Sequence, residues 1–194
     1  MKQNIFVEWA KNKYTEKQRL SAMIPLGLLF VVIIPCFLVK TSKIDPWLGM
    51  PSLKFDPLNL VIGIALTVVG LIFAVWSNQF IFQEGRGTPA PIMPTQKLIL
   101  TGPYLYCRNP MAFGAMCYYL GIVILIGSIS SFALWLILTG ALLVYIKCIE
   151  EKELQARFGQ EYLEYKKRVP FMIPRRRLQE GQNLGRGDSR NHGA

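Results

Sequence analysis

Residues 108–151 read RNPMAFGAMCYYLGIVILIGSISSFALWLILTGALLVYIKCIEE. This stretch decides the fold. Two apolar runs meet at the short turn Gly127–Ser131, with a charged group at each outer end: Arg108 before the first run, and Glu150 with Glu151 after the second. A charge in or next to lipid is costly, so charges framing a hydrophobic hairpin mark a functional site by default. Asn109-Pro110 starts the first helix of the hairpin, because proline fits the first helical position, where no N–H partner is needed.

Outward from this hairpin, the same composition extends over most of the chain. Of 194 residues, 52% are apolar and 18% are charged, against about 25% charged in soluble domains. The apolar residues form four blocks rather than amphipathic stripes: Leu20–Val39, Leu58–Trp76, Met111–Gly127 and Phe132–Ile149. Each approaches or reaches the length needed to cross a bilayer, the last two being short and therefore tilted or partly interfacial. The first block is too long for a signal-peptide core and lacks a small-residue cleavage site, so it is a retained span. Pro25 and Pro35 within it predict kinks. The fold expected is an all-α integral membrane protein with about four transmembrane helices and a C-terminal amphipathic helix.

The net charge of +10 follows the membrane topology. Lys2, Lys11, Lys13, Lys17 and Arg19 precede the first block, and eleven Lys and Arg lie from Lys147 onward, whereas the turn Gly127–Ser131 has none. Basic residues favour the cytoplasmic side, which places both termini there. The charge therefore reflects topology rather than nucleic-acid binding. Cys36, Cys107, Cys117 and Cys148 form no CxxC pair, and the one histidine is His192 in the tail. No metal site and no histidine base is expected.

Residues 83–94 are rich in Gly and Pro and form an irregular loop. Thr101–Tyr104 reads as a turn. Leu154, Phe158, Tyr162, Tyr165 and Val169 recur at helical spacing, an amphipathic helix ended by Pro170 and Pro174, with Gly159 weakening it. Beyond Arg177 the chain is polar and Gly-rich, the composition of a disordered tail. Three regions follow: 1–79 with an interfacial segment and two spans; 80–177 as a core of loop, hairpin and C-terminal helix; and the tail 178–194.

On residue type alone, Glu150 and Glu151 are either a polar helix end or acceptors for an ammonium group. Arg108 is either a topology anchor or a fork for a carboxylate or phosphate. Gly102-Pro103-Tyr104 is either a plain turn or a loop that approaches a ligand. No dinucleotide-binding glycine pattern is present.

The succession Gly102-Pro103-Tyr104, Arg108-Asn109-Pro110-Met111, Gly114, the hairpin, Glu150-Glu151-x-x-Leu154 and Phe158-Gly159-x-x-Tyr162-x-x-Tyr165 resembles the isoprenylcysteine carboxyl methyltransferase family. That family shares a wider membrane superfamily with the phospholipid N-methyltransferases. The loop Gly85–Pro91 is similar to that of prokaryotic members, and the resemblance covers about residues 80–175. It implies S-adenosylmethionine as methyl donor, in a pocket made by the last two spans, the preceding loop and the C-terminal helix. Gly102 and Tyr104 would line the cofactor loop. Asn109, Pro110, Met111 and Gly114 would shape the pocket, Glu150 and Glu151 would hold the cofactor's amino end, and Arg108 would orient the substrate or the cofactor carboxylate. Of the two acids, Glu151 is the one expected to face the cofactor.

Three positions depart from the family pattern. Asn109 stands where His is common, Ala112 where Tyr is common, and Ile146 where the carboxyl-methylating enzymes carry Arg. The last points away from carboxylate acceptors more than from the cofactor. A carboxylate, thiol, amine or phospholipid headgroup on a lipophilic acceptor all remain open, the polar cofactor entering from the cytoplasm and the acceptor from the bilayer of the prokaryotic inner membrane. Two other readings stand beside this one: a non-catalytic membrane scaffold with a decayed site, suggested by Ala112 and Ile146, and an NADPH-dependent membrane reductase.

Overall fold

The computed structural model describes residues 12, 14–89 and 93–175. The expected disordered tail and nearly all of the N-terminal interfacial segment up to residue 13 lie outside them. The described residues are helical, with no strand among them. α1 is Glu16–Leu28, α2 Ile34–Thr41, α3 Ile44–Trp47, α4 Leu58–Gln83, α5 Pro110–Ile126, α6 Ile129–Tyr145 and α7 Glu151–Arg168. Three continuous helical stretches, Glu16–Trp47, Leu58–Gln83 and Ile129–Arg168, are long and apolar enough to cross a membrane, while Pro110–Ile126 is a shorter apolar helix.

The helix ends follow local chemistry. Thr15 caps α1 reciprocally with Gln18, its hydroxyl accepting from the Gln18 N–H while the Gln18 side chain accepts from the Thr15 N–H. Asn109 precedes α5 and Pro110 opens it. Gly127 ends α5 in the left-handed conformation at φ 65°, which glycine adopts without a Cβ penalty. Ser128 then caps α6 through the Ser131 N–H at 3.1 Å. Asp45, from the distant α3, accepts the N–H groups of Ile129 at 3.0 Å and Ser130 at 2.9 Å. A buried carboxylate thus satisfies the first-turn donors that a helix cannot pair itself.

The irregularity expected around Pro25 and Pro35 lies between them, as a π turn at Leu29–Ile33. The Ile34 N–H bonds back to the Leu29 carbonyl, and Pro35 has no N–H to give to Val31. The tyrosine hydroxyls of α5 meet the carbonyls left over. Tyr119 donates to Phe30 O at 3.0 Å and Tyr118 to Val31 O at 3.3 Å. Backbone groups in an apolar surrounding need such partners, so these two bonds also tie the first helix to the hairpin.

α4 and α5 pack backbone to backbone, and glycines permit it. Gly63 and Gly70 on α4 oppose Gly121 and Gly114 on α5, with a spacing of seven on each helix. A Cβ on Gly114 would stand 2.6 Å from the Ala74 nitrogen, and one on Gly121 2.6 Å from the Gly63 carbonyl oxygen. Small residues at such contacts let membrane helices gain van der Waals and Cα–H contacts that larger side chains would forbid.

α6 continues through a second π turn, Ile146–Glu150, directly into α7. α7 is interrupted at Gly159, whose non-helical dihedrals, φ 55° and ψ −126°, break it after two turns. Tyr162, Tyr165 and Val169 beyond the break are buried against Leu98, Tyr104, Leu154 and Phe158.

Candidate functional site

A cavity of about 380 Å³ lies where α4, α5 and the α6–α7 stretch converge, bordered by the loop residues 88–89 and 94–99. That size suits a small molecule. Its two ends differ in chemistry. Phe30 and Val31 of the first π turn, Leu71, Ala112, Ala115 and Leu142 wall an apolar arm, whereas Arg108, Glu150, Glu153, Arg157, Tyr104 and Tyr162 gather at the other end.

Helical phase sorts the acids. Glu150, Glu153, Leu154 and Arg157 fall at i, i+3, i+4 and i+7, and all four face the cavity. Glu151 is one residue on, about 100° round the helix, and is turned away from it. Its carboxylate accepts from Arg108 Nη1 at 2.6 Å and Lys166 Nζ at 2.7 Å, with Lys147 Nζ at 3.5 Å. It is 5% exposed. Glu150 has no hydrogen bond or ion pair among the described residues, and Glu153 is paired with Arg157 at 2.8 Å. One carboxylate on the cavity wall is therefore uncommitted.

Arg108 is held from several sides. Nη1 serves Glu151 and lies 3.4 Å from the Tyr162 hydroxyl, while the guanidinium sits 5.6 Å from the Phe171 ring centroid. Its Nε is buried with no partner. A buried guanidinium nitrogen without an acceptor costs free energy. The backbone around it is pinned by the segment after α7: Arg108 N donates to Pro170 O at 2.9 Å, Asn109 Nδ2 to Phe171 O at 2.8 Å, and Arg175 N to Tyr106 O at 3.0 Å.

Tyr104 reaches the cavity from a 3-10 turn, Gly102–Leu105, and its carbonyl accepts the Tyr165 hydroxyl at 2.7 Å. Burial raises the Tyr104 phenol well above its ordinary range, and the neighbouring Glu150 carboxylate raises it further. Burial likewise pushes the Cys107 thiol up to about 11.

Of the nine residues singled out from the sequence, Tyr104, Arg108, Asn109, Pro110, Met111 and Glu150 line the cavity. Gly102, Gly114 and Glu151 do not. Gly102 is left-handed at φ 57°, and a Cβ there would strike the Phe80 ring, so its close approach is to protein. Gly114 serves the α4–α5 contact. Glu151 holds Arg108 and α7. Sequence reasoning missed Glu153 and Arg157, although their spacing from Glu150 was the available signal. It also missed Thr95, Leu98 and Ile99 of the loop, whose approach depends on tertiary contacts that no local pattern encodes.

A family model described as phospholipid methyltransferase matches residues 58–161. The match starts with α4 and ends within α7. No curated protein and no solved structure matches.

Proposed function

The chain belongs to the phospholipid methyltransferase family, and on that premise we propose that it is an integral membrane methyltransferase that binds S-adenosylmethionine at the charged end of the cavity and takes a lipophilic acceptor in the apolar arm. One observation carries the proposal. Arg108 and Glu150 line the same cavity, one a guanidinium and the other a carboxyl group that burial pushes up to about 7. The amino-acid end of the cofactor presents a carboxylate and an ammonium group, the complementary pair. Arg108 would take the carboxylate with its free edge while Glu151 holds Nη1, and Glu150 would take the ammonium. Tyr104, Met111 and Pro110 would enclose the remainder.

When bound, S-adenosylmethionine supplies an electrophilic methyl group on its sulfonium. The protein's part is then positioning and water exclusion, which needs no histidine. Tyr104 and Tyr162 would close the charged end with aromatic surface. Ala112 and Ala115 leave room in the apolar arm for a hydrocarbon chain leading to the acceptor atom. With Arg108 given to the cofactor carboxylate, Arg157 is paired with Glu153 and Ile146 adds no cation, which disfavours a carboxylate acceptor over a neutral or cationic headgroup.

The proposed topology has four spans and cytoplasmic termini in the prokaryotic inner membrane. Pro110–Ile126, 17 residues or about 26 Å long, would cross at the lower limit of length, supported by its backbone contact with α4. Labelling of cysteines introduced at residues 3 and 185 tests it, and modification of either from outside intact cells sinks it. The activity is tested with the purified protein in lipid nanodiscs, supplied with methyl-labelled S-adenosylmethionine. Label entering the lipid phase is the expected result. Folded protein that neither transfers label nor binds S-adenosylhomocysteine would overturn the proposal and favour a scaffold.

A further inference from the structure

Arg157 is one of eleven basic residues from Lys147 onward, yet its guanidinium is buried on the cavity wall and bonded on two sides. It is 8% exposed, and Glu153 is 6% exposed. One nitrogen, Nη1, meets Glu153 Oε1 at 2.8 Å, and the other, Nη2, donates to the carbonyl of Thr95. The guanidinium carbon lies 4.9 Å from the Phe158 ring centroid. Thr95 belongs to the loop that roofs the charged end, where Leu98 and Ile99 also face the cavity. The loop is folded tightly on itself. Gln96 N bonds Gly85 O at 2.6 Å, Thr88 N bonds Met93 O at 2.8 Å, and a Cβ on Gly87 would stand 2.6 Å from Thr95 Cα. The loop meets α7 through this guanidinium and through Leu98, which packs against Tyr162 and Tyr165.

We infer that Arg157 is a positioning residue for the cofactor: it bridges Glu153 on α7 to the Thr95 carbonyl, so fixing the loop over the charged end of the cavity and withdrawing Glu153 from ligand binding. This rests on the reading of the cavity as a cofactor site. Two consequences follow from the geometry. With the loop tied down, release of a ligand on that side is slowed until the tie opens. With Glu153 neutralised, Glu150 is the acid left to read an ammonium group, although the two carboxylates are one helical turn apart. A planar fork suits both tasks, since it donates in two fixed directions at once. A lysine in its place keeps the charge but not the second direction.

Limited trypsin digestion of the full chain in detergent reads the loop directly, because Lys97 is exposed on it. In Arg157→Gln, cutting after Lys97 is expected to be faster by about tenfold, the change that follows when opening becomes that much more frequent. Release of S-adenosylhomocysteine, measured by stopped-flow competition, is expected to speed up by a similar factor, with the association rate little changed. Arg157→Lys, which retains the pairing with Glu153, should fold and still show faster cutting. It decides the matter if the Gln variant misfolds. Cutting after Lys97 and ligand release at wild-type rates in a folded Arg157→Lys variant overturn the inference. If S-adenosylhomocysteine binds neither wild type nor variant, the cofactor reading fails, and the rate of cutting still decides whether Arg157 fixes the loop.

Discussion

Replacing Glu150 and Glu151 separately by glutamine should split stability from ligand binding. Glu151 and Arg108 form a buried pair whose side chains are 6% and 7% exposed, at 2.6 Å. Removing one partner of a buried pair costs about 3–5 kcal/mol because the other charge is stranded. Glutamine keeps a carbonyl that can accept from Arg108, which returns about 1 kcal/mol. Lys166 and Lys147 are 35% and 54% exposed, and water screens what they add, so each contributes under about 1 kcal/mol. Glu151→Gln should therefore destabilise by about 2–4 kcal/mol, which for a chain of this size lowers Tm by on the order of 10 °C. Glu150 has no partner to lose, so Glu150→Gln should leave Tm unchanged or raised. Losing one charge-assisted hydrogen bond of about 1.5–3 kcal/mol, it should weaken S-adenosylhomocysteine about 10–150-fold. Thermal unfolding in detergent at one fixed scan rate and equilibrium binding at a temperature where both variants are folded give the two readings. The reasoning is refuted by the inverse pattern: Glu151→Gln that is stable but does not bind, with Glu150→Gln binding like wild type.

Arg108→Lys keeps a charge for Glu151 but loses the fork, and kcat/KM for methyl transfer should fall at least about tenfold; wild-type kinetics would take Arg108 out of the site. Gly114→Ala places a Cβ 2.6 Å from the Ala74 nitrogen and should destabilise by about 1–3 kcal/mol, whereas Gly140→Ala, with nothing within 4 Å, should not lower Tm at all. Equal melting temperatures for the two would contradict the glycine-mediated contact. The thiol of Cys107, raised to about 11, is ionised in about one molecule per thousand at pH 8. Maleimide labelling of the folded protein followed by mass spectrometry should find buried Cys107 unmodified there while exposed Cys148 reacts, and equal labelling of the two would contradict the burial of Cys107.

The helical framework was legible because its signals are local. Apolar blocks, Asn109-Pro110 at a start and Gly127 at a stop each act within a turn of where they stand. The packing of α4 on α5 was equally present, as glycines seven residues apart on both helices, but a spacing becomes a contact only when the partner helix is known. The direction of the paired acids was not legible. Adjacent residues on a helix necessarily diverge, and Arg108 and Lys166, far from Glu151 along the chain, claim that acid and leave Glu150 to the cavity. Gly159 was visible as a weak point, but its left-handed break was not, since glycine also persists within helices. The contact of the loop with α7 at the Thr95 carbonyl comes from Arg157, a residue whose type alone suggests a solvated surface.

Titration calorimetry of the purified protein against S-adenosylmethionine, S-adenosylhomocysteine and NADPH tests the central claim most directly, with Glu150→Gln as the comparison. The account predicts that the first two bind, that NADPH does not, and that Glu150→Gln weakens both. Binding of NADPH alone, or binding of S-adenosylhomocysteine to Glu150→Gln with wild-type affinity, would contradict it.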